Sequence, residues 1–147
     1  MNKSVTVLII DDHPIIASAY ESALESFATQ NTTYDFKITS IYNLDEAQLL
    51  IENSTFIDSL DLVFLDMRLP ASSDGKLVSG EDLGKLIKIK NSEVRIIVST
   101  TFNDNYRLHN ILQSLDPEGF LVKNDINPKE LLRAIENVLS GSPYYSK

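Results

Sequence analysis

Two adjacent aspartates follow an apolar run near the N-terminus, and this junction constrains the fold more than any other feature of the chain. The run covers residues 5–10, is rich in Val and Ile, and leads into Asp11 and Asp12. A short β-branched run is typical of a strand buried on both faces. Because an unpaired buried carboxylate is costly, we expect the acids in the crevice where open α/β sheets bind ligands. Two acids at this place suggest a binding site for a hard cation such as Mg2+. Alternatively, they form an acidic loop that caps the next helix.

The other apolar segments alternate between strand and helix periodicity. Strands are predicted at 36–41, 62–65, 94–98 and 119–122, and helices are predicted to start near Pro14, at Asn43 or Asp45, after Gly80, at Asn103 or Asp104, and at Asn127. Five strands that alternate with five helices predict an α/β fold with a parallel sheet and helices on both faces. The flavodoxin-like (βα)5 topology with strand order 2-1-3-4-5 is expected, and its crevice lies between strands 1 and 3. Asp66 ends the third strand and is therefore expected beside Asp11 and Asp12.

Composition and charge exclude several classes of function. The chain has 147 residues, no cysteine and a net charge of −8. The length fits one domain, and the absence of cysteine excludes thiolate chemistry and suits a cytoplasmic protein. The acidic balance argues against direct contact with nucleic acid, which requires a basic face. No stretch approaches the 18 apolar residues of a membrane span.

Four short motifs occur in order, each at the carboxyl end of a predicted strand. They are LIIDDHP at 8–14, LDMRLP at 65–70, IIVSTTF at 96–102 and GFLVK at 119–123. Together they resemble the receiver domain of response regulators, the phosphorylatable half of two-component signalling, over nearly the whole chain. The resemblance implies a receiver domain at 1–141 that takes a phosphoryl group from a sensor histidine kinase, a phosphotransfer protein or a small phosphodonor. It also implies an acceptor with slow autodephosphorylation rather than a turnover enzyme.

The resemblance assigns roles to residues at the expected crevice. Asp66 matches the phosphoacceptor, and Asp11 and Asp12 match the acids that hold Mg2+ together with Asp66. Arg68 lies two positions after the acceptor, where the family gives a backbone carbonyl to the metal. Lys123 matches the lysine that neutralises a phosphoryl oxygen, in keeping with a positively charged donor on a flexible stem.

The same resemblance implies a conformational switch. Thr100 matches the hydroxyl that reaches the phosphoryl group, and Phe120 matches the aromatic residue that turns inward behind it. Ser99 and Thr101 are alternatives to Thr100, because three hydroxyl residues stand in a row, and Phe120 is alternatively an ordinary core residue. The moving face is expected to combine the helix after strand 4, strand 5 and the last helix.

The C-terminal residues 142–147 resemble the start of a linker to a DNA-binding output domain of the LuxR/NarL type. No such basic module is present in the chain, so DNA contact is expected only through that absent domain, and control of transcription follows from it. The alternative is a stand-alone receiver. The resemblance also allows a homodimer.

The chain departs from the family pattern at several positions. Two glycines, Gly75 and Gly80, occur where one is expected, and we interpret Gly80 as the turn glycine and 71–79 as an insertion that acts as a lid or a partner contact. Arg68 and Phe102 are bulky at positions that limit the access of water to the phosphoaspartate, which predicts slow autodephosphorylation. We interpret His13 as a solvated loop residue.

Three rival functions fit the sequence less well. A haloacid dehalogenase-type phosphatase requires Asp-x-Asp after its first strand, whereas this chain has Asp11-Asp12. A flavodoxin requires a phosphate-cradling loop after strand 1, and none follows here. The alternative function is a pseudo-receiver that binds partners without phosphorylation, although the acceptor, both acids, Thr100 and Lys123 are all present.

Overall fold

A computed structural model of the chain describes residues 3–100, 105–123 and 126–145. These ranges contain β1 (Lys3–Ile10), α1 (Pro14–Gln30), β2 (Tyr34–Ile41), α2 (Leu44–Glu52), α3 (Ser54–Ser59), β3 (Leu60–Asp66), α4 (Gly80–Lys90), β4 (Arg95–Thr100), α5 (Asn105–Leu115), β5 (Gly119–Val122), α6 (Pro128–Leu139) and β6 (Tyr144–Tyr145). All strands pair in parallel in the order β2-β1-β3-β4-β5-β6. The flavodoxin-like fold with order 2-1-3-4-5 is confirmed. No helix within the described ranges is long and apolar enough to cross a membrane.

The sheet separates two apolar layers. On one face, β-strand residues such as Leu8, Leu65 and Val98 pack with buried side chains of α2 to α5. On the other face, residues such as Ile9 and Phe64 pack with buried side chains of α1 and α6. Helices therefore cover both faces, which is the arrangement that near-continuous apolar strands require.

Two elements go beyond the five strands and five helices that the sequence predicts. The helix α3 has only six residues, too few for a periodic pattern, and depends on the Asn53 side chain, which accepts hydrogen bonds from the backbone N–H groups of Thr55 and Phe56 at 3.0 and 3.2 Å. Such a cap satisfies donors that a helix start leaves unpaired.

The strand β6 lies within the segment predicted to begin a linker. Tyr144 pairs with Gly119 of β5, and the Tyr144 N–H donates to the Glu118 carbonyl at 3.1 Å. The Tyr145 hydroxyl also donates to the Pro117 carbonyl at 3.1 Å. The last described residues therefore extend the sheet. A strand of two residues is too short to show alternation in sequence.

Side-chain caps fix the starts of two predicted helices. The Asn43 side chain accepts from the Glu46 N–H at 2.8 Å, and the Asn127 side chain accepts from the Glu130 N–H at 2.9 Å. Both bonds have the N-cap to N3 spacing of a capped helix. The predicted start of the next helix at 103 or 104 lies outside the described residues, and α5 is described from Asn105.

The loop at 71–79, which the sequence predicts to be an insertion, docks onto the N-terminal half of α2. Ser73 donates from its backbone N–H and its hydroxyl to the Asp45 carboxylate at 2.8 and 2.9 Å, and the Gln48 amide donates to Asp74 at 3.2 Å. A hydrogen bond from the Lys76 backbone N–H, followed by one from the Ser72 hydroxyl, lowers the pKa of Asp74. The loop therefore has its own bonds to the fold.

Gly80 is the glycine that the close packing requires. A Cβ at this position would lie 2.0 Å from the backbone oxygen of Asp66 and 3.0 Å from the Cα of Met67. Gly75, in contrast, faces open space and has a φ of +73°. The first glycine allows a helix start to touch the end of β3, and the second only permits a turn.

We predict that Gly80→Ala destabilises the protein by about 3 kcal/mol, because the added methyl group meets backbone that has no rotamer to change. Gly75→Ala is the control and should cost about 1 kcal/mol through its left-handed backbone. Urea unfolding of both variants measures the difference. Equal losses would contradict the proposed close approach.

Candidate functional site

The carboxyl ends of β1 and β3 bring three aspartates together. These strands are neighbours, with Ile10 opposite Leu65, so the residues that follow them lie at the same edge of the sheet. Asp11 is fully buried and Asp66 is 1% exposed, whereas the Asp12 side chain remains 35% exposed. The predicted gathering of Asp11, Asp12 and Asp66 in one crevice is therefore what the fold produces.

Lys123 joins the two buried carboxylates. Its Nζ lies 2.9 Å from Asp11 Oδ2 and 3.0 Å from Asp66 Oδ2, and its side chain is only 5% exposed. A buried charge is retained only when it is paired, and here one ammonium group pairs with two acids. The contact spans 112 residues of sequence between Asp11 and Lys123. Lys123 reaches the site because β5 ends one residue before it.

Backbone groups orient the carboxylates further. The N–H of Arg68 donates to Asp66 Oδ1 at 3.0 Å, and the N–H of His13 donates to Asp11 Oδ1 at 2.9 Å. Each carboxylate therefore has both a backbone donor and the Lys123 ammonium as partners, and in Asp11 the ammonium reaches both oxygens. The side chain of Arg68 is exposed. The metal contact expected from its carbonyl stays a prediction.

His13 lies in the loop after β1 with an exposed side chain, as the sequence indicates, but it also contacts the acidic cluster. Although 57% of its side chain is exposed, its Nδ1 lies 3.0 Å from Asp11 Oδ1 and 2.9 Å from Asp12 Oδ1. The same nitrogen lies 3.2 Å from Lys123 Nζ. The imidazole therefore contacts the acidic cluster through Nδ1, while the rest of the ring is exposed. Its position directly after the two aspartates was the signal that sequence reasoning did not use.

The two candidate switch residues lie on neighbouring strands. Thr100 ends β4 opposite Val122, and Phe120 pairs with Val98 in the same ladder. Both side chains are buried, and Phe120 belongs to the apolar layer under α2 to α5. The Phe120 ring therefore already points inward in this conformation. Thr101 and Phe102 lie outside the described residues, as does Asn124, which follows Lys123 where many receivers have proline.

Beneath the aspartates lies a buried tyrosine that the motifs did not indicate. The Tyr20 ring stacks on Phe64 with centroids 4.6 Å apart, and Tyr20 and Ser99 are both 1% exposed. Burial raises the pKa of Tyr20 far above its usual value, the Ser99 hydroxyl lowers it in part, and the charges of Asp11 and Asp66 raise it further. Among the described residues neither hydroxyl has a hydrogen bond of good geometry. Tyr20 therefore forms an apolar floor with a polar tip toward the site.

The donor set suits a divalent cation. One ligand atom from each of Asp11, Asp12, His13 and Asp66 lies within 4.8 Å of the other three. Carboxylate oxygens are the ligands that Mg2+ takes in proteins, and it keeps several waters, which the exposed side of Asp12 leaves room for. Oδ2 of Asp11 and Oδ2 of Asp66 are buried, and each forms an ion pair with the Lys123 ammonium. The residues present therefore fit a metal ion.

Comparison with known proteins identifies the family of the chain. Residues 7–136 match the model of the response regulator receiver domain. The chain belongs to this family. Among curated proteins, the receiver is 28% identical over 141 residues to the transcriptional regulatory protein RcsB of Escherichia coli K12. The alignment covers 96% of the receiver but 59% of RcsB, so the chain spans little more than half of that relative.

Solved structures agree with this assignment. The isolated receiver domain of RcsB from Salmonella enterica serovar Typhimurium, determined with the phosphomimetic BeF3−, is 25% identical, with a TM-score of 0.74 over 99% of this chain and 95% of that one. RcsB of the same organism bound to the promoter P1flhDC is 26% identical, with a TM-score of 0.72, and the match covers 96% of this chain and 62% of that one. These structures therefore show both the receiver fold of this chain and its similarity to RcsB.

Proposed function

We propose that this receiver domain accepts a phosphoryl group on Asp66, with Mg2+ bound beside it, from a sensor histidine kinase, a phosphotransfer protein or a small phosphodonor. The supporting observation is the buried Lys123 ammonium, which lies 3.0 Å from Asp66 and 2.9 Å from Asp11. A pseudo-receiver that only binds partners has no need for this costly buried arrangement.

The chemistry follows from the positions of these groups. A carboxylate oxygen of Asp66 attacks phosphorus while the bond to the donor's leaving atom breaks, and the electron pair departs with that atom. The leaving atom is nitrogen in a phosphohistidine and oxygen in an acyl phosphate. When bound by Asp11, Asp12 and Asp66, a divalent cation supplies positive charge to phosphoryl oxygens. Lys123 is placed to neutralise a further oxygen as a point charge.

Thr100 and Phe120 would transmit the event. The Thr100 hydroxyl donates a hydrogen bond to a phosphoryl oxygen, and Phe120 adjusts its packing behind it. The face formed by α5, β5 and α6 then favours a second conformation, because a local charge biases a two-state element. In this conformation Phe120 is already buried. We therefore propose that phosphorylation shifts the population between two existing conformations of this face and opens no new pocket for the Phe120 ring.

We further propose that the receiver controls transcription as part of a longer cytoplasmic regulator. Residues 142–147 would lead toward an output domain, with Tyr144 and Tyr145 held on the sheet edge before the chain leaves it. DNA would be contacted only by that output domain, and a homodimer would present two of them. Support comes from the RcsB relatives, of which the chain spans 59%.

Intact-mass measurement after treatment with acetyl phosphate and Mg2+ tests the central proposal. We expect the mass of one added phosphoryl group, and none when EDTA removes the metal. A chain that stays unmodified with both acetyl phosphate and carbamoyl phosphate contradicts the proposal and favours the pseudo-receiver.

We predict that Mg2+ stabilises the fold, because three carboxylates in one crevice repel one another and Lys123 pairs with two of them, Asp11 and Asp66. At ten times its dissociation constant, Mg2+ should add about 1.4 kcal/mol. Thermal melts with MgCl2 and with NaCl of equal ionic strength separate site binding from screening. An unchanged midpoint in millimolar Mg2+ would count against the metal site.

Slow autodephosphorylation is a further expectation, since Arg68 stands two positions after the acceptor with its side chain exposed. We expect the phosphorylated protein to decay over minutes or longer, and Arg68→Ala to decay faster because water gains access. Decay is followed by intact mass after the phosphodonor is removed. A wild-type half-life of seconds refutes the expectation. A receiver that keeps its phosphoryl group for minutes acts as an acceptor and not as a turnover enzyme.

A further inference from the structure

We infer that His13 is an additional ligand of the metal ion and tunes the site toward transition-metal ions such as Mn2+. The inference rests on the proposed function, because it concerns the same site. Its starting observation is that a single nitrogen, Nδ1, lies 2.9 Å from Asp12 Oδ1 and 3.0 Å from Asp11 Oδ1. The two carboxylates that would hold the ion thus converge on one imidazole atom.

Nδ1 of His13 lies within hydrogen-bond distance of both acceptors and a donor. The two carboxylate oxygens can only accept, while the Lys123 ammonium, 3.2 Å away, can only donate. One ring nitrogen carries either a proton or a lone pair and cannot satisfy both kinds of neighbour. A divalent cation in the cluster resolves the conflict, because it binds the Nδ1 lone pair and the carboxylate oxygens at once.

The exposure of His13 fits a ligand that can move onto an ion. More than half of its side chain is exposed, while its backbone N–H is fixed to Asp11 Oδ1 at 2.9 Å. The ring is therefore anchored at its base and free at its outer edge. An imidazole nitrogen suits Zn2+, Ni2+ or Fe2+ best, and it adds affinity for Mn2+, the weakest binder of the transition series, whereas Mg2+ prefers oxygen ligands alone. Removal of the imidazole should therefore affect the two classes of ion differently.

The chain offers a matched control, since it has two histidines. His109 is exposed on α5 and is no member of the cluster among the described residues. We expect His13→Ala to lower the affinity for Mn2+ by about tenfold or more and to leave Mg2+ affinity nearly unchanged. His109→Ala should change neither. Calorimetric titration of each variant with Mn2+ and Mg2+ measures these affinities.

A spectroscopic measurement on the wild-type protein tests ligation directly. Pulsed EPR of bound Mn2+ should show coupling to an imidazole nitrogen, which 15N-labelled histidine distinguishes from other nitrogens. The coupling should persist in His109→Ala and disappear in His13→Ala. Phosphorylation and Mg2+ binding without any histidine coupling overturn this inference and leave the proposed function intact. A chain that binds neither ion overturns both, and equal losses of Mn2+ and Mg2+ affinity in His13→Ala overturn the selectivity.

Discussion

Replacing Asp66 with asparagine should abolish labelling by acetyl phosphate, because the amide has no anionic oxygen to attack phosphorus. The substitution keeps the volume of the side chain and one acceptor for the Arg68 N–H, which now bonds Asp66 Oδ1 at 3.0 Å. The fold should therefore survive while the chemistry is lost. Intact mass and circular dichroism measured on the same sample separate these two outcomes.

Asp61→Asn is the matched control for this experiment. Asp61 lies on the same strand, at its opposite end, and accepts a hydrogen bond from the Thr6 N–H at 2.9 Å. Labelling of this variant should equal that of the wild type. If Asp66→Asn were labelled with unchanged stoichiometry, another residue would be the acceptor and the assignment of Asp66 would fall.

Replacing Lys123 with methionine should destabilise the protein by about 3–5 kcal/mol, since it leaves two buried carboxylates without their cation. Asp11 is fully buried and Asp66 is 1% exposed, so water cannot take the place of the ammonium group. The expected loss is comparable to breaking a buried ion pair and far exceeds that of a surface lysine. Urea unfolding at neutral pH measures it.

Lys129→Met provides the comparison, because Lys129 is exposed on α6 and should change stability by less than about 0.5 kcal/mol. Mg2+ should recover part of the stability of Lys123→Met by neutralising the same carboxylates. A loss in Lys123→Met no greater than in Lys129→Met would show that the buried contacts carry little energy. Lys123→Met should also be labelled by acetyl phosphate more slowly than the wild type, because one phosphoryl oxygen loses its partner charge.

Local sequence patterns were sufficient for most of the fold. Apolar runs located five strands, and the Asn43 and Asn127 caps located two helix starts. The parallel order followed from helices between strands and from the handedness of such crossovers. The short elements α3 and β6 were missed, because six and two residues are too few to show a period.

The sequence predicted those residues of the candidate site that directly follow a strand. Asp11, Asp12 and Asp66 could be brought together because carboxyl ends of neighbouring parallel strands meet at one edge. His13 and Tyr20 were not anticipated in the site, since loop and helix side chains take their direction from packing. The Tyr20 hydroxyl faces the charged layer only because α1 packs its buried face on Phe64.

The sequence by itself determined the topology and which residues stand at the carboxyl edge of the sheet, because strand periodicity and residue identity are local properties. Only the tertiary structure decided which atoms face one another. It placed Lys123 Nζ between Asp11 and Asp66, set Gly80 against the Asp66 carbonyl, and turned His13 Nδ1 toward the first two aspartates. These contacts join segments far apart in sequence or depend on a rotamer. The burial that makes them strong exists only once the sheet and both helical layers are assembled.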